Sequence, residues 1–426
     1  MRACRACGRL YPDDARFCPV DGEGLHHPAE VPVMGRDNSG RLGRVVLGRY
    51  QLRRVVADGG MGRVYEALDL IAQRHVAIKV LHAEVAKDGV AVARFKREFA
   101  VSKQLGSLHI IEVLDFQPTE DGSFALVMEF LYGEELRATL KREGTLRPER
   151  LVRILSQLAL ALDAAHRQQL VHRDLKPENL FLCQTSEGDM VKVLDFGSVR
   201  DNASNAKKLT VMGTTIGSPY YMPPEQAQGL ETLDGRADVW ALAAIAYECS
   251  TGQVPFQGVN GPSILLEILT RDPLPPSVLS PGIPLGVDDA LLRALRKPVG
   301  LRTPSAGELA DEVGRAFGLD GTHQHWAVTP ERGLGELIAA RLGALLEERK
   351  SARSRTSATD AFFGERTALG LSQPPSAGAA ALSPGDELPA AAALAGLGAR
   401  RRNWQASVLV AGMALLAGVL LALLFI

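Results

Sequence analysis

The chain has 426 residues, more than one compact core holds, so the sequence indicates two or more structural units. Its 48 basic and 49 acidic residues nearly cancel, and the composition therefore gives no electrostatic signal for a nucleic-acid partner. Five cysteines, three of them crowded near the first residue, argue against a disulfide framework and favour a reducing compartment.

Residues 1–24 form a small cysteine-containing unit. Its stretch CRACGRLYPDDARFCPVDG places Cys4 and Cys7 on one knuckle and Cys18 on a second. The segment resembles the short zinc ribbons of bacterial proteins, which run CxxC…CxxC, with Asp21 in place of the last cysteine. The resemblance implies a Zn²⁺ site, because zinc takes four ligands that are mostly thiolates or imidazoles. The fourth ligand would be Asp21, His26 or His27. The alternative is a metal-free tail with reactive thiols.

The next part of the chain divides into a linker and a globular region. Residues 25–49 are rich in Gly, Pro and Arg and are interpreted as a linker, whereas Tyr50 to about Phe317 has globular character. Three strand-like runs come first, YQLRRVVADGG, RVYEALD and HVAIKVL. Helical patterns then dominate, such as PERLVRILSQLALALDAAHRQ, in which apolar residues recur at helical spacing. This order predicts an α+β fold with a strand-rich small lobe and a helical large lobe.

Candidate phosphate-binding residues lie in the strand-rich part. In VVADGGMGRVY, the glycines Gly59, Gly60 and Gly62 allow a tight turn whose amides approach a phosphate chain, although a plain flexible hairpin is the alternative. Lys79 ends the run VAIK, where it pairs with phosphates or is simply a solvated strand residue. Glu98 follows nineteen residues later in a helical run. A Lys–Glu pair there would hold the ammonium in place for phosphate contact.

The stretch VHRDLKPENL is dense in polar groups. Asp174 could accept a proton from a hydroxyl substrate or orient it, and Lys176 could neutralise charge on a transferring phosphoryl group. Asn179 could bind Mg²⁺ beside a carboxylate, which Asp195 supplies in VKVLDFGSV. Phosphoryl transfer needs positioning and charge neutralisation rather than covalent help, and the order of these groups favours that chemistry.

With these motifs in order over about Tyr50–Phe317, the chain resembles a eukaryotic-type protein Ser/Thr kinase of the kind also found in bacteria. The resemblance implies the bilobal protein kinase fold and a role for each matching residue. The residues that match the ATP site are Val56, Ala57, Gly59, Gly60, Gly62, Val64, Ala77, Lys79, Glu98, the gatekeeper Met128, and the hinge residues Glu129 and Leu131. Those that match the chemical site are the catalytic Asp174, its companion Lys176, and the Mg²⁺ or Mn²⁺ ligands Asn179 and Asp195. Other matches are Pro223, Pro224 and Glu225 closing the activation segment, Arg302 as partner of Glu225, and Asp238 as anchor beneath the catalytic loop.

The resemblance also implies control by phosphorylation. In the family, an arginine before the catalytic aspartate, here Arg173, can pair with a phosphate on the activation segment. The hydroxyls that this segment offers are Ser204, Thr210, Thr214 and Thr215. We hypothesise that phosphorylation at Thr210, Thr214 or Thr215 activates the protein.

Three positions depart from the family pattern. The first lid glycine is Ala57, whose methyl group would stiffen the turn or weaken nucleotide binding. The threonine near the end of the activation segment is Ser218, which keeps the hydroxyl. The usual HPNI before the fourth strand is SLHI, which the sequence does not explain. None of these changes removes a catalytic group.

The last quarter of the chain is predicted to end in a membrane anchor. Residues 318–350 are expected to be partly helical, because 333–350 has an amphipathic pattern suited to self-association or to packing against the large lobe. Residues 351–405 are interpreted as a low-complexity, disordered juxtamembrane linker. Residues 406–426 carry no charge and are long enough to span a lipid bilayer, with a buried core helix as the alternative. Three preceding arginines and the absence of an apolar signal segment predict a kinase domain on the cytoplasmic side of the inner membrane.

The sequence therefore predicts a membrane-anchored Ser/Thr kinase that moves the γ-phosphoryl group of Mg·ATP to protein substrates, itself included. No nucleic-acid partner is expected. One rival is a pseudokinase adaptor that binds nucleotide and recruits partners, and intact Lys79, Asp174 and Asp195 argue against it. The other is a metal-dependent interaction protein in which the N-terminal unit is primary, and the bulk of the chain argues against that.

Overall fold

A computed structural model describes residues 2–4, 10–11, 15–17, 24–26, 40–195, 200–201, 219–230 and 232–368. The chain divides into two compact units, Met1–Thr359 and Asp360–Ile426, and only the helical residues 360–368 of the second are described. Several predicted features lie outside the described residues: Cys7, Cys18, Asp21, His27, Ser204, Thr210, Thr214, Thr215, Ser218 and the 406–426 run.

The described residues of the N-terminal segment include three short antiparallel strands, in the order β2-β1-β3. They are β1 (Arg2–Cys4), β2 (Leu10–Tyr11) and β3 (Leu25–His26). Cys4 lies opposite Leu25 in the register of β1 and β3. Among the described residues no group of three or more His, Cys, Asp and Glu side chains forms a metal site. The zinc site predicted from the cysteines stays a prediction, since most of its ligands lie outside that part of the chain.

The small lobe is a six-stranded antiparallel sheet, and its first strands match the runs identified in the sequence. The strand order is β4-β5-β6-β7-β9-β8. The bounds are β4 (Val45–Val46), β5 (Tyr50–Asp58), β6 (Gly62–Asp69), β7 (Arg74–Leu81), β8 (Val113–Pro118) and β9 (Phe124–Glu129). Helix α1 (Gly89–Leu105) follows β7 and a 3₁₀ turn at Val85–Lys87. It begins after Asp88, whose carboxylate accepts a hydrogen bond from the Val90 amide at 2.9 Å.

The large lobe is built around helix α5. Consecutive residues from Ala237 to Ser250 of this helix are all buried, as expected of a helix that is enclosed by neighbours on every side. The helices are α2 (Leu136–Glu143), α3 (Pro148–Arg167), α4 (Pro224–Ala227), α5 (Arg236–Thr251), α6 (Gly261–Thr270), α7 (Pro276–Leu279), α8 (Leu285–Ala294) and α9 (Ala306–Ala316). A 3₁₀ turn spans Val299–Leu301. Helix α3 has Pro148 in its first turn, where a missing N–H costs no hydrogen bond.

Short strands between β9 and α4 flank the central polar motifs. They are β10 (Gly133–Glu135), β11 (Leu170–Val171), β12 (Leu180–Thr185), β13 (Gly188–Val193) and β14 (Arg200–Asp201). One sheet has the order β10-β12-β13, and β11 pairs with β14. The antiparallel hairpin of β12 and β13 therefore begins directly after Asn179 and ends two residues before Asp195.

The chain beyond Phe317 continues the large lobe. It contains α10 (His323–Trp326) and the long helix α11 (Glu331–Ala368), and the buried Trp326, Leu334 and Ile338 belong to the same apolar cluster as α3, α5 and α9. The amphipathic helix predicted at 333–350 is confirmed, and it packs against the large lobe. The expected irregular linker from residue 351 is wrong for 351–368, which are helical: this stretch contains no proline. Among the described residues no helix has the length and apolar character to cross a membrane.

Candidate active site

The glycine-rich turn between β5 and β6 is held tightly at the end of β7. A Cβ atom on Gly62 would lie 2.3 Å from the carbonyl oxygen of Val80, so only glycine fits there. The Gly59 amide donates to the Gly62 carbonyl at 3.1 Å, and His82 Nε2 donates to the Gly59 carbonyl at 2.9 Å. A Cβ on Gly60 would meet nothing within 4 Å. The turn is therefore a fixed backbone lid rather than a loose hairpin.

Lys79 lies on β7 and pairs with carboxylates from two parts of the chain. Its Nζ is 3.2 Å from Glu98 Oε2 on α1 and 3.8 Å from Asp195 Oδ2. Burial alone would lower the pKa of Lys79, but the charges of Glu98 and Asp195 and the hydrogen bond to Glu98 raise it above its usual value. Burial raises the pKa of Glu98, which Lys79 only partly offsets. The charged ammonium thus joins the small-lobe helix to Asp195.

The backbone before the catalytic-loop aspartate is fixed by one buried carboxylate. Asp238 on α5 accepts hydrogen bonds from the amides of His172 and Arg173 at 2.8 and 2.9 Å, and from His166 Nε2 at 2.8 Å. Burial opposes the charge of Asp238, but the hydrogen bond and charge of His166 keep its pKa below the usual value. Arg173 has φ +68°, a conformation that a non-glycine residue adopts only when its surroundings impose it. His172 Nε2 also donates to the Leu194 carbonyl at 3.2 Å.

Asp174, Lys176 and Asn179 are in direct contact. Lys176 Nζ lies 2.7 Å from Asp174 Oδ2, and Asn179 Nδ2 donates to the Asp174 carbonyl at 2.7 Å. These bonds use the amide NH₂ group of Asn179 and not its Oδ1, which is the atom that a divalent cation needs. The Asn179 carbonyl accepts the Leu194 amide at 2.8 Å, which places Asn179 beside the residue preceding Asp195. The predicted catalytic and metal-binding residues therefore meet in one place.

An apolar cluster adjoins this polar group through Leu194, the residue before Asp195. It contains the buried Ala77, Leu81, Phe95, Ile111, Val113, Leu126 and Met128 and the partly buried Val64, Leu131 and Leu194. Val56 lies outside this cluster and is 45% exposed, and its nucleotide contact stays a prediction. Ala57 lies opposite Val64 in the lid.

The hinge beyond Met128 is anchored by its own side chain. Glu129 accepts Lys192 Nζ at 2.6 Å and the Glu112 amide at 2.8 Å, and the Glu129 amide donates back to the Glu112 carbonyl at 2.9 Å. The backbone that continues to Leu131 is therefore held between the small lobe and β13. A flat heterocycle would have apolar walls and backbone groups at one edge, which is how adenine sites are built.

One cluster that the sequence did not reveal lies under the catalytic loop. Arg137 on α2 donates to Glu178 at 2.8 Å and to Glu248 at 2.6 Å, and it also bonds the Tyr221 hydroxyl. Burial would lower the pKa of Arg137, but the hydrogen bonds with Glu248 and Glu178 raise it. Glu178 lies inside the DLKPEN motif, but its partners come from distant elements. No local pattern could have found them.

The donor set suits a divalent cation. Asp195 Oδ and Asn179 Oδ1 are hard oxygen ligands, and Mg²⁺ binds through few protein oxygens together with phosphate oxygens. Asp195 has φ +56°, and its side chain is 42% exposed despite its neighbours. The Asp174 side chain is 47% exposed. Carboxylates that face a cleft beside a fixed ammonium can hold a metal and a polyphosphate and can receive a hydroxyl proton.

Comparison with known proteins agrees with this geometry. Residues 50–275 match the family profile described as protein kinase domain. The serine/threonine-protein kinase pkn3 of Myxococcus xanthus is 38% identical over 282 residues, which are 65% of this chain and 51% of that protein. PknH of Mycobacterium tuberculosis is 38% identical over 266 residues, 62% of this chain and 41% of that protein. The chain spans about half the length of these curated relatives, or less.

Among solved structures, the kinase domain of Mycobacterium tuberculosis PknI, a point mutant, superposes with a TM-score of 0.49 at 27% identity. That superposition covers 64% of this chain and 97% of the other.

Proposed function

Because this chain belongs to the protein kinase family, we propose that it transfers the γ-phosphoryl group of Mg·ATP to serine or threonine hydroxyls of proteins. One observation carries the proposal: Lys79 contacts Glu98 and Asp195 together, while Asn179 accepts the amide of Leu194, next to Asp195. A cation for phosphates, oxygen ligands for a metal and an acceptor for a proton therefore share one cleft.

The chemistry follows from the positions of these groups. The substrate hydroxyl oxygen attacks the γ-phosphorus, the bond from phosphorus to the β–γ bridging oxygen breaks, and ADP leaves. Asp174 orients the hydroxyl and receives its proton. Mg²⁺, held by Asn179 and Asp195, would neutralise charge on the phosphate oxygens. Lys176, 2.7 Å from Asp174, adds a positive charge beside the transferring group.

The other residues act by positioning. Asp238 holds the backbone of His172 and Arg173 and thereby fixes Asp174 next in the chain. The glycine turn would lie over the phosphates, and the close approach of Gly62 to the Val80 carbonyl holds the turn in place. Positioning of this kind provides much of the rate enhancement in phosphoryl transfer. The choice of Ser or Thr as acceptor is supported by Lys176 within DLKPEN and by the names of the relatives.

Radiolabelled ATP tests the proposal directly. Wild-type protein and Asp174→Asn are incubated with Mg·ATP and a general protein substrate, and acid-stable label is assigned to phosphoserine and phosphothreonine. The remote variant Asp121→Asn, which removes an exposed carboxylate from a loop of the small lobe, is the control. Labelling by wild type and by Asp121→Asn but not by Asp174→Asn supports the proposal. Nucleotide binding without labelling by wild type would favour a pseudokinase adaptor instead.

We also propose autophosphorylation in the activation segment, at Thr210, Thr214 or Thr215. The support is Arg173, whose backbone is fixed by Asp238 and whose side chain carries the charge that a phosphate would pair with. Mass spectrometry of wild-type protein after incubation with ATP identifies the sites. Undiminished activity in a variant with alanine at all three threonines would contradict activation through them.

Membrane anchoring by residues 406–426 is a further part of the proposal, supported by an uncharged run of bilayer-spanning length. The kinase domain would then face the cytoplasm. Expression of the full chain followed by carbonate extraction measures this. Recovery of the protein in the membrane pellet is expected, and its release would contradict the anchor.

The zinc site of the N-terminal unit is proposed from the spacing of Cys4, Cys7 and Cys18 with Asp21. Metal analysis of purified protein should find close to one equivalent of zinc per chain. A double Cys4→Ser and Cys7→Ser variant should lose it. Equal zinc content in both proteins would contradict the site.

A further inference from the structure

The hairpin of β12 and β13 connects the two residues proposed to hold the metal. Its first strand starts at Leu180, directly after Asn179, and its second ends at Val193, two residues before Asp195. A tilt of this hairpin would move both metal ligands together. A displacement of residues 185–189, at the far end of the hairpin, would therefore displace the proposed metal site.

Two buried side chains of α3 bind this far end and the C-terminal part of the chain at the same time. Gln157 Nε2 donates to the carbonyls of Asp189 and Ala327 at 3.1 and 3.2 Å, and its Oε1 accepts the Val191 amide at 2.6 Å. Arg153 Nε donates to the Asp189 carbonyl at 3.1 Å, and its Nη1 bonds the Thr329 carbonyl. The side chains of Arg153 and Gln157 thus each connect β13 to residues 327–329 by hydrogen bonds.

A direct backbone contact completes this connection. The Glu331 amide, the first of helix α11, donates to the Glu187 carbonyl at the hairpin turn at 2.8 Å. A Cβ on the neighbouring Gly188, which has φ +108°, would lie 2.7 Å from Glu331 Cβ. The turn and the helix start are therefore fitted closely to each other.

Residues 318–350, here named the C-terminal brace, are themselves firmly attached. Trp326 is 1% exposed and packs over Gly314, where a Cβ atom would meet the indole ring at 2.1 Å. At the other end, the buried Arg349 donates to the carbonyls of Ser277 and Ile283 at 2.6 and 3.0 Å. The brace is therefore anchored at Trp326 and at Arg349, and it bonds the hairpin at a point between these two residues.

We propose that the C-terminal brace is a positioning element of the active site, which fixes the hairpin between Asn179 and Asp195 through the contacts of residues 327–331. The inference rests on the proposed kinase function. Loosening the contacts of residues 327–331 weakens the metal site rather than the peptide site, because these contacts converge on the hairpin whose second strand ends two residues before Asp195. None of these residues belongs to the proposed catalytic or metal-binding residues.

Glu331→Pro in the full chain tests this. Proline at the first helical position is tolerated, but it removes the N–H that bonds Glu187. The matched control Glu331→Ala removes the carboxylate, which lies 3.3 Å from Arg147, and keeps the N–H. The Mg²⁺ concentration for half-maximal phosphorylation should rise about three- to tenfold in Glu331→Pro, less than for loss of a direct contact to a ligand. The KM for the protein substrate should not change, and Glu331→Ala should behave as wild type.

Arg349→Lys separates positioning from general stability. It loosens the same helix at its far end, so it should lower the melting temperature and leave the Mg²⁺ dependence unchanged. A shift in Mg²⁺ dependence that follows melting temperature in both variants would overturn the proposal, as would a Glu331→Pro protein with wild-type Mg²⁺ dependence. If Glu331→Pro does not fold, Arg153→Lys replaces it, because lysine lacks the guanidinium that bonds both Asp189 and Thr329. The same rise in the Mg²⁺ concentration for half-maximal phosphorylation is expected, and a wild-type Mg²⁺ dependence would overturn the proposal.

Hydrogen–deuterium exchange gives a readout that needs no catalysis. The amides of residues 188–195 should exchange faster in Glu331→Pro than in Glu331→Ala and wild type. Equal exchange would contradict the brace even in an active enzyme. An inactive wild type would contradict the proposed function alone, because the exchange comparison would still decide whether the brace holds the hairpin.

Discussion

Arg302 donates two hydrogen bonds to the carboxylate of Glu225, each at 2.6 Å, although the two residues are 77 positions apart. The Arg302 side chain is fully buried and that of Glu225 is 9% exposed. Arg302 also donates to the Arg296 carbonyl at 2.7 Å, and its guanidinium lies 4.9 Å from the centre of the Trp240 ring. This pair fixes the end of the activation segment to the bottom of the large lobe, as the resemblance implied.

Glu225→Gln should destabilise the protein strongly. Removing one partner leaves Arg302 as a buried cation without its counter-charge, which costs about 3–5 kcal/mol. Urea unfolding measures the loss. The control is Glu336→Gln on α11, since the Arg332–Glu336 pair at 3.1 Å is exposed and should contribute less than about 1 kcal/mol. A loss for Glu225→Gln no larger than that of the control would be incompatible with a buried ion pair.

Gly62→Ala should damage the lid, whereas Gly60→Ala should not alter the fold. The first places a methyl group 2.3 Å from the Val80 carbonyl, and the second places one in open space. We expect Gly62→Ala to lose about 1–3 kcal/mol of stability, as overpacked sites do, and to raise the KM for ATP. Thermal melts and ATP titrations of both variants decide the matter. Similar behaviour of the two would show that the close contact at Gly62 is not maintained.

Lys79→Met should abolish most of the activity. The ammonium is the only cation within salt-bridge distance of both Glu98 and Asp195 in the described part of the chain. Its loss should lower kcat by about 100- to 1000-fold, the range for removing one stabilising group of an active site. Lys103→Met, an exposed lysine on α1, is the control. Because the pKa of Lys79 is raised above 10.5, the rate should not fall through its deprotonation between pH 7 and roughly pH 10.

His109 should make stability fall on the acid side of neutrality. Burial holds the pKa of His109 below its usual 6.5, so below pH 6.5 the unfolded chain binds a proton that the folded chain does not. The contribution is therefore complete above pH 6.5 and is lost as the pH falls toward the folded pKa. His109→Gln should flatten this acid limb in urea unfolding between pH 5 and pH 8, estimated as the range in which histidine titrates. An unchanged slope would contradict the role of His109.

His166 should change the pH dependence of stability in the opposite direction to His109. Burial would lower the pKa of His166, but the hydrogen bond and charge of Asp238 raise it. Its contribution is complete below pH 6.5 and is lost as the pH rises through the folded pKa. In His166→Gln the slope of stability against pH should therefore increase on the neutral side. The two histidine variants serve as controls for each other, since changes of the same sign would be inconsistent with both environments.

The departure SLHI, which the sequence could not explain, has a physical reason in the fold. His109 Nδ1 donates to the Val191 carbonyl at 3.1 Å, and the His109 carbonyl accepts the Val193 amide at 2.8 Å. The imidazole therefore links the loop before β8 to β13 of the large lobe. Its partners lie more than 80 positions away, so no reading of the local motif could supply them.

The motif residues were predictable because phosphoryl transfer restricts the residue type at each position. A cation, a carboxylate and an amide in fixed order leave few alternatives, and the strands β5 to β7 contain the valines and tyrosines that favour strand structure. Supporting contacts such as Arg137 with Glu248, 111 positions apart, depend only on tertiary packing. The low-complexity composition of residues 351–368 predicts irregular structure, but alanine, serine and arginine are compatible with the helix that forms there.

Lys79, Asn179 and Asp195 are proposed to converge on one nucleotide and its metal. Equilibrium binding of ATP to wild type and to Asp195→Asn, each with and without Mg²⁺, measures this most directly. Wild type should bind ATP at least about tenfold more tightly with Mg²⁺, and Asp195→Asn should lose that gain because one of the two proposed metal ligands is gone. Binding that is equally tight in both proteins, with or without Mg²⁺, would contradict a shared metal–nucleotide site.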